Sequence, residues 1–363
     1  MNPSPTMFAI VTDAFGGRGG IAQYNRDFLR SLAESGAVSS ITVLPRQAPD
    51  VYAMPERIRQ TPARCGRIVY SIAALRRALF RPIDLVFCGH LFMAPLAALI
   101  ARLKDAKLIV QTHGVEAWPR PSRLQRAALE SADLVLCVSR YTRAAVLSWA
   151  TIEPERVLVV PNTVKAAFTP GDGSTTRAAL ALENKRVLLT VGRMDSRQRY
   201  KGQDRVIAAI PYIVAQGHDV EYLVVGEGDD RARIEELARD VGVSDRVRFL
   251  GAIGLQSLTE IYRMADLFVM PSTGEGFGIA FLEAMASGTP ALGLDVAGAR
   301  DALADGRLGT AVPEAELAGA IDRALAGPKP DPSALAREVR SLFGREQFAR
   351  SANTALNRVI VAS

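Results

Sequence analysis

Short apolar runs alternate with helical periods along the whole chain, and that alternation narrows the fold more than any single motif. In the first part, residues 7–12, 40–44, 84–88, 107–111, 134–138 and 157–160 read as buried strands. Helical spacing fills 21–34, 68–81, 95–102, 122–131 and 140–149, while 46–66 is polar and proline-rich and reads as loop. The second part repeats the pattern. Its strands are 187–191, 221–225, 247–250, 267–270 and 291–294; its helices are 203–215, 232–241, 257–265, 278–286 and 317–326, with a helical tail over 333–361. Strands that alternate with helices predict parallel sheets joined by right-handed crossovers. Two such series in 363 residues predict an α/β chain of two Rossmann-like domains. The first is placed at 1–165 and the second at 166–344, with 345–363 packing back on the first.

Charge is divided unevenly between these parts. Residues 1–165 hold 21 Lys and Arg against 12 Asp and Glu, whereas the remainder holds 23 against 26. A basic first half suggests an anionic partner such as a phospholipid surface or a lipid diphosphate. No helix-turn-helix, zinc or RNP-type signature supports nucleic acid. Cys65, Cys88 and Cys137 form no CxxC pair and read as reduced core thiols. No two of His90, His113 and His218 lie at metal-ligand spacing, and no D-x-D occurs, so no metal site is expected. The apolar run 91–101 is too short to span a bilayer. No signal peptide is evident at the N-terminus. In 68–81, Ile72, Leu75 and Leu79 share one stripe flanked by Arg76, Arg77 and Arg81. That stripe faces either the domain core or a lipid interface, and both readings stand.

In open parallel sheets, ligands sit beyond the strand carboxyl ends. Each chemically suggestive group here follows a strand. Gly16, Gly17, Gly19 and Gly20 follow the first, where backbone without side chains can approach a phosphate or sugar. His113 ends another strand, and His90 reads equally as structural or as an acceptor contact. Arg193 and Lys201 lie on the loop after 187–191; guanidinium and ammonium both suit phosphate, and Arg197 and Arg199 add positive charge nearby. Gly226 and Glu227 follow 221–225, and Ala252 and Ile253 follow 247–250. After 267–270 comes a glycine loop that turns into a helix, with Glu275 in the loop and Glu283 in the helix. Backbone N–H groups of Phe277, Gly278 and Ile279 at that helix start favour an anion. The ordinary account of this stretch is a loop-to-helix turn with solvated glutamates.

The run Glu275-Gly-Phe277-Gly-Ile-Ala-Phe-Leu-Glu283 resembles the motif of the family 4 retaining glycosyltransferases. The resemblance covers nearly the whole chain and is strongest over 188–290. It implies the GT-B fold, two Rossmann-like domains facing a central cleft. The second domain then holds a nucleotide sugar of GDP-mannose or UDP-glucose type, and the first holds the acceptor. It implies that Arg193 and Lys201 grip the donor diphosphate, Glu275 meets the donor sugar, Glu283 binds the ribose and His113 lies near the sugar's reaction centre. Backbone at Ala252 and Ile253 then holds the base, and the loop of Gly16 to Gly20 closes over the diphosphate. The implied reaction is a metal-independent, retaining hexosyl transfer with no cofactor. The implied partners are a nucleotide sugar, an acceptor glycan, glycolipid or lipid-linked saccharide, and an anionic membrane surface. The chain is expected in the cytoplasm, with peripheral attachment to the inner membrane face left open.

Three other readings stand beside this one. A nucleotide-sugar epimerase or hydrolase would share the fold. A catalytically silent nucleotide-sugar-binding subunit would keep the site without turnover. Gly17-x-Gly19-x-x-Ala22 also matches a dinucleotide fingerprint, and with Arg46 after the second strand it suits an NADP-dependent oxidoreductase.

Overall fold

The computed structural model describes residues 4–50 and 52–361. They fall into two compact units: one runs up to Thr163 and takes back the chain from Arg345, and the other is Val164–Gly344. The first unit contains β1 (Thr6–Val11), α1 (Gly20–Ser35), β2 (Ser40–Pro45), β3 (Ile58–Gln60), α2 (Arg67–Phe80), β4 (Leu85–Cys88), α3 (Ala94–Lys104), β5 (Lys107–Thr112), α4 (Arg123–Glu130), β6 (Leu134–Cys137), α5 (Arg140–Trp149) and β7 (Val157–Val159). The second contains α6 (Ser174–Ala179), β8 (Arg186–Val191), α7 (Gln203–Ala215), β9 (Val220–Val225), α8 (Arg231–Asp240), β10 (Val247–Gly251), α9 (Leu255–Met264), β11 (Leu267–Met270), α10 (Ile279–Ala286), β12 (Ala291–Leu294), α11 (Ala299–Ala302), β13 (Thr310–Val312), α12 (Leu317–Ala326) and α13 (Pro332–Phe343). The final helix, α14 (Arg345–Val361), belongs to the first unit.

Both sheets are parallel throughout, in the orders β3-β2-β1-β4-β5-β6-β7 and β10-β9-β8-β11-β12-β13. Their strands are buried on both faces, which explains the unbroken apolar runs. Phe8, Ile10, Val86, Val110 and Val135 join the core of the first sheet. Leu188, Tyr222, Val224, Val269 and Leu292 do so in the second. Strand order reverses between β1 and β4 and again between β8 and β11, and such switch points open crevices for ligands. β8 and β11 pair only at Leu188 and Leu189 opposite Leu267 and Phe268, so their carboxyl ends part.

Local chemistry sets the helix ends. Ser122 and Gln125 close a reciprocal capping box on α4, and Ser139 caps α5 through the Thr142 N–H at 3.2 Å. Asp331 accepts from the Ala334 N–H at 2.5 Å, and Pro332 opens α13. The tail is two helices rather than one. Gly344 leaves the helix with extended backbone, and a Cβ there would lie 2.3 Å from the Arg340 carbonyl oxygen. Beyond it, α14 lies on α1: Arg345 pairs with Glu34 at 2.5 Å, Ser35 meets Asn353 at 2.6 Å, and Phe348 packs edge-on to Tyr24.

Other expectations need correction. The segment 46–66 is not all loop, because Ile58 packs inward and β3 pairs with β2 at the sheet edge. Cys65 is exposed and is not a core thiol, unlike Cys88 and Cys137, whose burial pushes their thiols up to about 12. In α2 the stripe of Ile72, Leu75 and Leu79 is split: Leu75 packs against the core, whereas Ile72 and Leu79 face away from it. Those residues are 53% and 70% exposed, and the buried face is Tyr70, Ala74 and Ala78. Arg77 turns inward and donates to the Thr42 hydroxyl at 2.6 Å. Among the described residues, no helix is long and apolar enough to cross a membrane.

Candidate active site

In the second unit, the loops after β8, β9, β10 and β11 carry the expected donor-site residues. The first three press backbone against backbone. Gly192 N–H donates to Val225 O at 2.9 Å, Gly226 N–H to Gly251 O at 2.8 Å and Met194 N–H to Glu227 O at 3.0 Å. Gly226 has φ +136°, and a Cβ there would sit 2.1 Å from the Gly192 carbonyl oxygen. Only glycine permits so close an approach. The exposed Glu227 carboxylate reaches the Ala252 N–H at 3.5 Å, so backbone at Ala252 and Ile253 lies at the strand end on a surface loop.

Lys201 and Glu275 form an ion pair across the β8–β11 switch point. Glu275 is 8% exposed, so it is not a solvated loop carboxylate. Tyr200 lies beside the pair. Its backbone carbonyl accepts from Thr273 N–H at 2.9 Å, and its ring lies 3.1 Å from where a Cβ at Gly274 would sit. Burial raises the Tyr200 phenol, and Lys201, whose Nζ lies 5.6 Å from the ring centroid, opposes that shift. Arg193 is exposed and reaches Gln198 Oε1 at 3.3 Å. Arg197 and Arg199 do not add free positive charge, because Asp195 and Asp230 pair with them at 3.2 Å and 3.1 Å.

Phe277 is buried edge-on against Phe343, and Gly278 takes φ +97° at the N-cap of α10. The N–H groups of Ile279 and Ala280 open that helix, whereas the Phe281 N–H donates to the Gly278 carbonyl at 3.1 Å. Glu283 faces a separate corner. Its Oε2 accepts from the Tyr262 hydroxyl at 3.0 Å. Desolvation raises its pKa to about 7, outweighing the opposing effects of Lys165 and the Tyr262 hydrogen bond.

In the first unit the glycine loop lies at the β1–β4 switch point. Gly16 and Gly19 take φ +128° and +89°, and a Cβ at Gly17 would lie 2.5 Å from the Asp13 side chain. Gly20 is the first residue of α1. Arg26 fixes the loop by donating to the Ala14 and Gly17 carbonyls, each at 2.7 Å, and Arg18 ties it to Asp50 at 2.6 Å. His113 N–H donates to Glu116 Oε1 at 2.5 Å. Its Nε2 lies 3.0 Å from the Gly89 carbonyl oxygen, a pairing that assigns the proton to Nε2. Burial lowers the His113 pKa to about 4, so the ring is neutral at pH 7. His90 is buried 6.0 Å away between ring centroids, with Nδ1 accepting from Phe92 N–H at 3.3 Å.

The geometry thus pairs Lys201 with Glu275, carries Arg193 on the Lys201 loop, and holds Glu283 in a corner of its own. Tyr262, Lys165 and Glu116 were not legible as partners, since nothing local in the sequence marks them. Gln203 was also missed. It is 3% exposed, with an unpartnered Nε2 that would lie 3.9 Å from a Cβ at Gly192.

Two open parallel sheets, each with polar loop residues at its switch point, place ligand sites beyond the strand carboxyl ends. Residues 18–168 match the model of Glycosyltransferase Family 4, and residues 174–341 that of Glycosyl transferases group 1. The chain is 32% identical over 313 residues to a GDP-mannose-dependent monoacylated alpha-(1-6)-phosphatidylinositol monomannoside mannosyltransferase of Corynebacterium glutamicum, with 78% of each chain covered. It is 34% identical over 246 residues to a D-inositol 3-phosphate glycosyltransferase of Geodermatophilus obscurus, covering 63% of this chain and 53% of that protein. Among solved structures, a sucrose-phosphate synthase of Thermosynechococcus elongatus superposes with a TM-score of 0.79 at 25% identity, covering 99% of this chain and 100% of that one. The chain belongs to the family 4 glycosyltransferases. It is a retaining hexosyltransferase of GT-B fold.

Proposed function

We propose that the protein moves a hexose from GDP-mannose or a UDP-glucose-type donor to a hydroxyl of a glycolipid or lipid-linked saccharide. The observation that carries the donor assignment is the buried Lys201–Glu275 pair at the β8–β11 switch point, with Arg193 on the same loop as Lys201. Two cations there suit a diphosphate, and a buried carboxylate beside them suits neutral sugar hydroxyls. The C1–O bond to the diphosphate breaks as the acceptor oxygen bonds C1 on the same face, and the departing phosphate oxygen takes the acceptor proton. Arg193 and Lys201 stabilise the charge that develops on the leaving group, a role typically worth ~3–4 kcal/mol per positioned donor. Glu275 orients the sugar, Glu283 accepts from ribose hydroxyls, and neutral His113 serves the sugar end. The names of the relatives support a GDP-linked mannose and a glycolipid acceptor. Thermal shift with UDP, GDP and ADP sugars, followed by product analysis with acceptor, tests this reading. Stabilisation by none of the three would sink it, and free sugar formed at equal rates with and without acceptor would favour the hydrolase.

A finer part of the proposal concerns the membrane. α2 presents Ile68, Ile72, Leu79 and Phe80 outward, each more than half exposed, with exposed Arg76 on the same helix and exposed Arg81 just past its end. Such a face suits the inner surface of an anionic membrane that carries the acceptor.

A further inference from the structure

Two consecutive carboxylates on the loop after β9, Asp229 and Asp230, fasten the neighbouring loop that carries Arg193 and Lys201. That loop ends in a tight turn, Ser196–Lys201. Asp229 takes the start of the turn: its Oδ1 accepts from the Ser196 N–H at 2.7 Å and its Oδ2 from the Ser196 hydroxyl at 2.8 Å. Asp230 takes the far end: its Oδ1 accepts from Arg199 Nε at 3.1 Å, two residues before Lys201. Asp230 is 3% exposed, and Arg233 of α8 fixes it with Nη2 2.6 Å from Oδ2. Backbone completes the fastening. Asp230 N–H donates to Met194 O at 2.9 Å, next to Arg193 in the chain, and a Cβ at Gly228 would lie 1.8 Å from that same oxygen. Inside the turn, Gln198 N–H donates to Asp195 O at 2.7 Å, and Gln198 Oε1 accepts from Arg193 at 3.3 Å. The Arg193 guanidinium therefore rests on a turn whose two ends Asp229 and Asp230 hold.

Long cationic side chains bind a diphosphate well only when little ordering is left to do at the moment of binding. Carboxylates accepting from N–H, hydroxyl and guanidinium make charge-assisted hydrogen bonds, about twice as strong as neutral ones. Bonds from Ser196 hold Asp229 below the usual carboxylate range, and those from Arg233 do the same for Asp230. A carboxylate repels a diphosphate, so neither is suited to touch one; both are engaged by the loop instead. We propose that Asp229 and Asp230 are positioning residues for the transfer, preorganising Arg193 and Lys201 for the donor diphosphate without contacting it. This rests on the donor reading of Arg193 and Lys201 and deepens it by naming what holds the two cations in place.

The test is affinity for GDP or UDP, whichever the wild type binds, read by calorimetry, with ligand-observed NMR for weakly binding variants. Asp229→Ala and Asp230→Ala should each bind the nucleotide roughly tenfold more weakly, the effect of a lost charge-assisted contact. Asp229→Asn should keep part of the affinity, since its amide oxygen still accepts from Ser196. Ser196→Ala should add nothing once Asp229 is alanine, because the two act as one contact. The readout that separates positioning from mere stability is the same substitutions in an Arg193→Ala, Lys201→Ala background. There the carboxylates have no cation left to position, and their loss should change affinity by less than about twofold. A purely structural pair would weaken binding by the same factor in both backgrounds. Asp230→Ala strands Arg233; should it fail to fold, Asp229→Ala, whose carboxylate is exposed, carries the test alone. Wild-type affinity in the aspartate variants overturns the proposal, as does an equal loss in both backgrounds. Wild type that binds neither nucleotide, or binding unchanged by Arg193→Ala with Lys201→Ala, strikes instead the donor reading on which the proposal rests.

Discussion

Lys201 and Glu275, 74 residues apart in sequence, hold each other as a largely buried ion pair. Each is therefore occupied by the other when no donor is bound. A diphosphate that draws Lys201 away frees the Glu275 carboxylate for sugar hydroxyls, so the two donor contacts are coupled. Removing one partner strands the other charge, which costs about 3 kcal/mol in such settings. Lys201→Ala and Glu275→Ala should each lose roughly that stability in urea unfolding, while Lys201→Met with Glu275→Leu should recover most of it. Turnover should fall ~10²-fold or more in Lys201→Ala and stay lost in the double variant. Single variants as stable as wild type would show that the pair is not held in solution.

Glu283 gives a pH signature. Its folded-state pKa of about 7 lies above the ordinary 4.5, so the native state keeps a proton that the unfolded state has lost between those values. Its contribution to stability is full below pH 4.5 and is lost as pH rises through 7. Nucleotide affinity should run the other way. Ribose hydroxyls donate to the ionised carboxylate, so affinity for the nucleoside diphosphate should rise from pH 6 to pH 8, with proton release on binding. Calorimetry in buffers of differing ionisation enthalpy measures this directly. Glu283→Gln should flatten the part due to this residue; an unchanged pH profile in that variant would remove Glu283 from the ribose site.

Gly226 and Gly19 separate two costs of adding a methyl group. Both have positive φ, but a Cβ at Gly19 meets nothing within 4 Å, whereas one at Gly226 meets a backbone oxygen at 2.1 Å. Gly19→Ala should cost only the conformational term, about 1–2 kcal/mol. Gly226→Ala adds overpacking, typically another 1–3 kcal/mol, and pushes apart the loops that carry Arg193 and Glu227. Thermal melts should therefore rank Gly226→Ala well below Gly19→Ala.

How much of this was legible follows from the range of the forces involved. Strands such as β1 and β9 are buried on both faces, so their apolar runs announce them. β3 is three residues long, with Arg59 exposed between two inward neighbours, and only its pairing with β2 makes it a strand. Gly344 ends α13 in extended backbone so close to the preceding turn that a side chain would meet the Arg340 carbonyl oxygen, which a helical period does not reveal. Glu275 and Lys201 could be read from their motifs, yet their mutual pairing could not. The partners of Glu283 depend on residues brought together by the fold of the second unit. Local spacing carries no trace of such contacts.

Metal removal tests the electrostatic assignment. If Arg193 and Lys201 supply the positive charge opposite the leaving diphosphate, EDTA should leave turnover unchanged. Loss of activity with EDTA and rescue by Mg²⁺ or Mn²⁺ would move that role to a bound cation.

The membrane proposal turns on which arginines of α2 and its C-cap face outward. Arg76 and Arg81 are exposed, whereas Arg77 is held on Thr42. Near an anionic surface each available arginine contributes about 1 kcal/mol, so Arg76→Ser with Arg81→Ser should weaken vesicle binding by roughly 30-fold. Arg77→Ser should leave vesicle binding nearly intact and instead cost stability, since it empties a hydrogen bond at the β2 face. Leu79→Ser with Phe80→Ser removes apolar area that would enter the lipid boundary, and should weaken binding even at high salt. Co-sedimentation with vesicles of phosphatidylcholine alone or mixed with an anionic lipid, at low and high salt, reads each variant. Binding that needs anionic lipid and falls with salt supports the assignment, because exposed charges are screened beyond about 10 Å at 0.1 M. Equal loss from Arg77→Ser and from the outward pair would mean that α2 acts through its fold rather than its surface. No binding of wild type at low salt would leave the enzyme to meet its acceptor in solution.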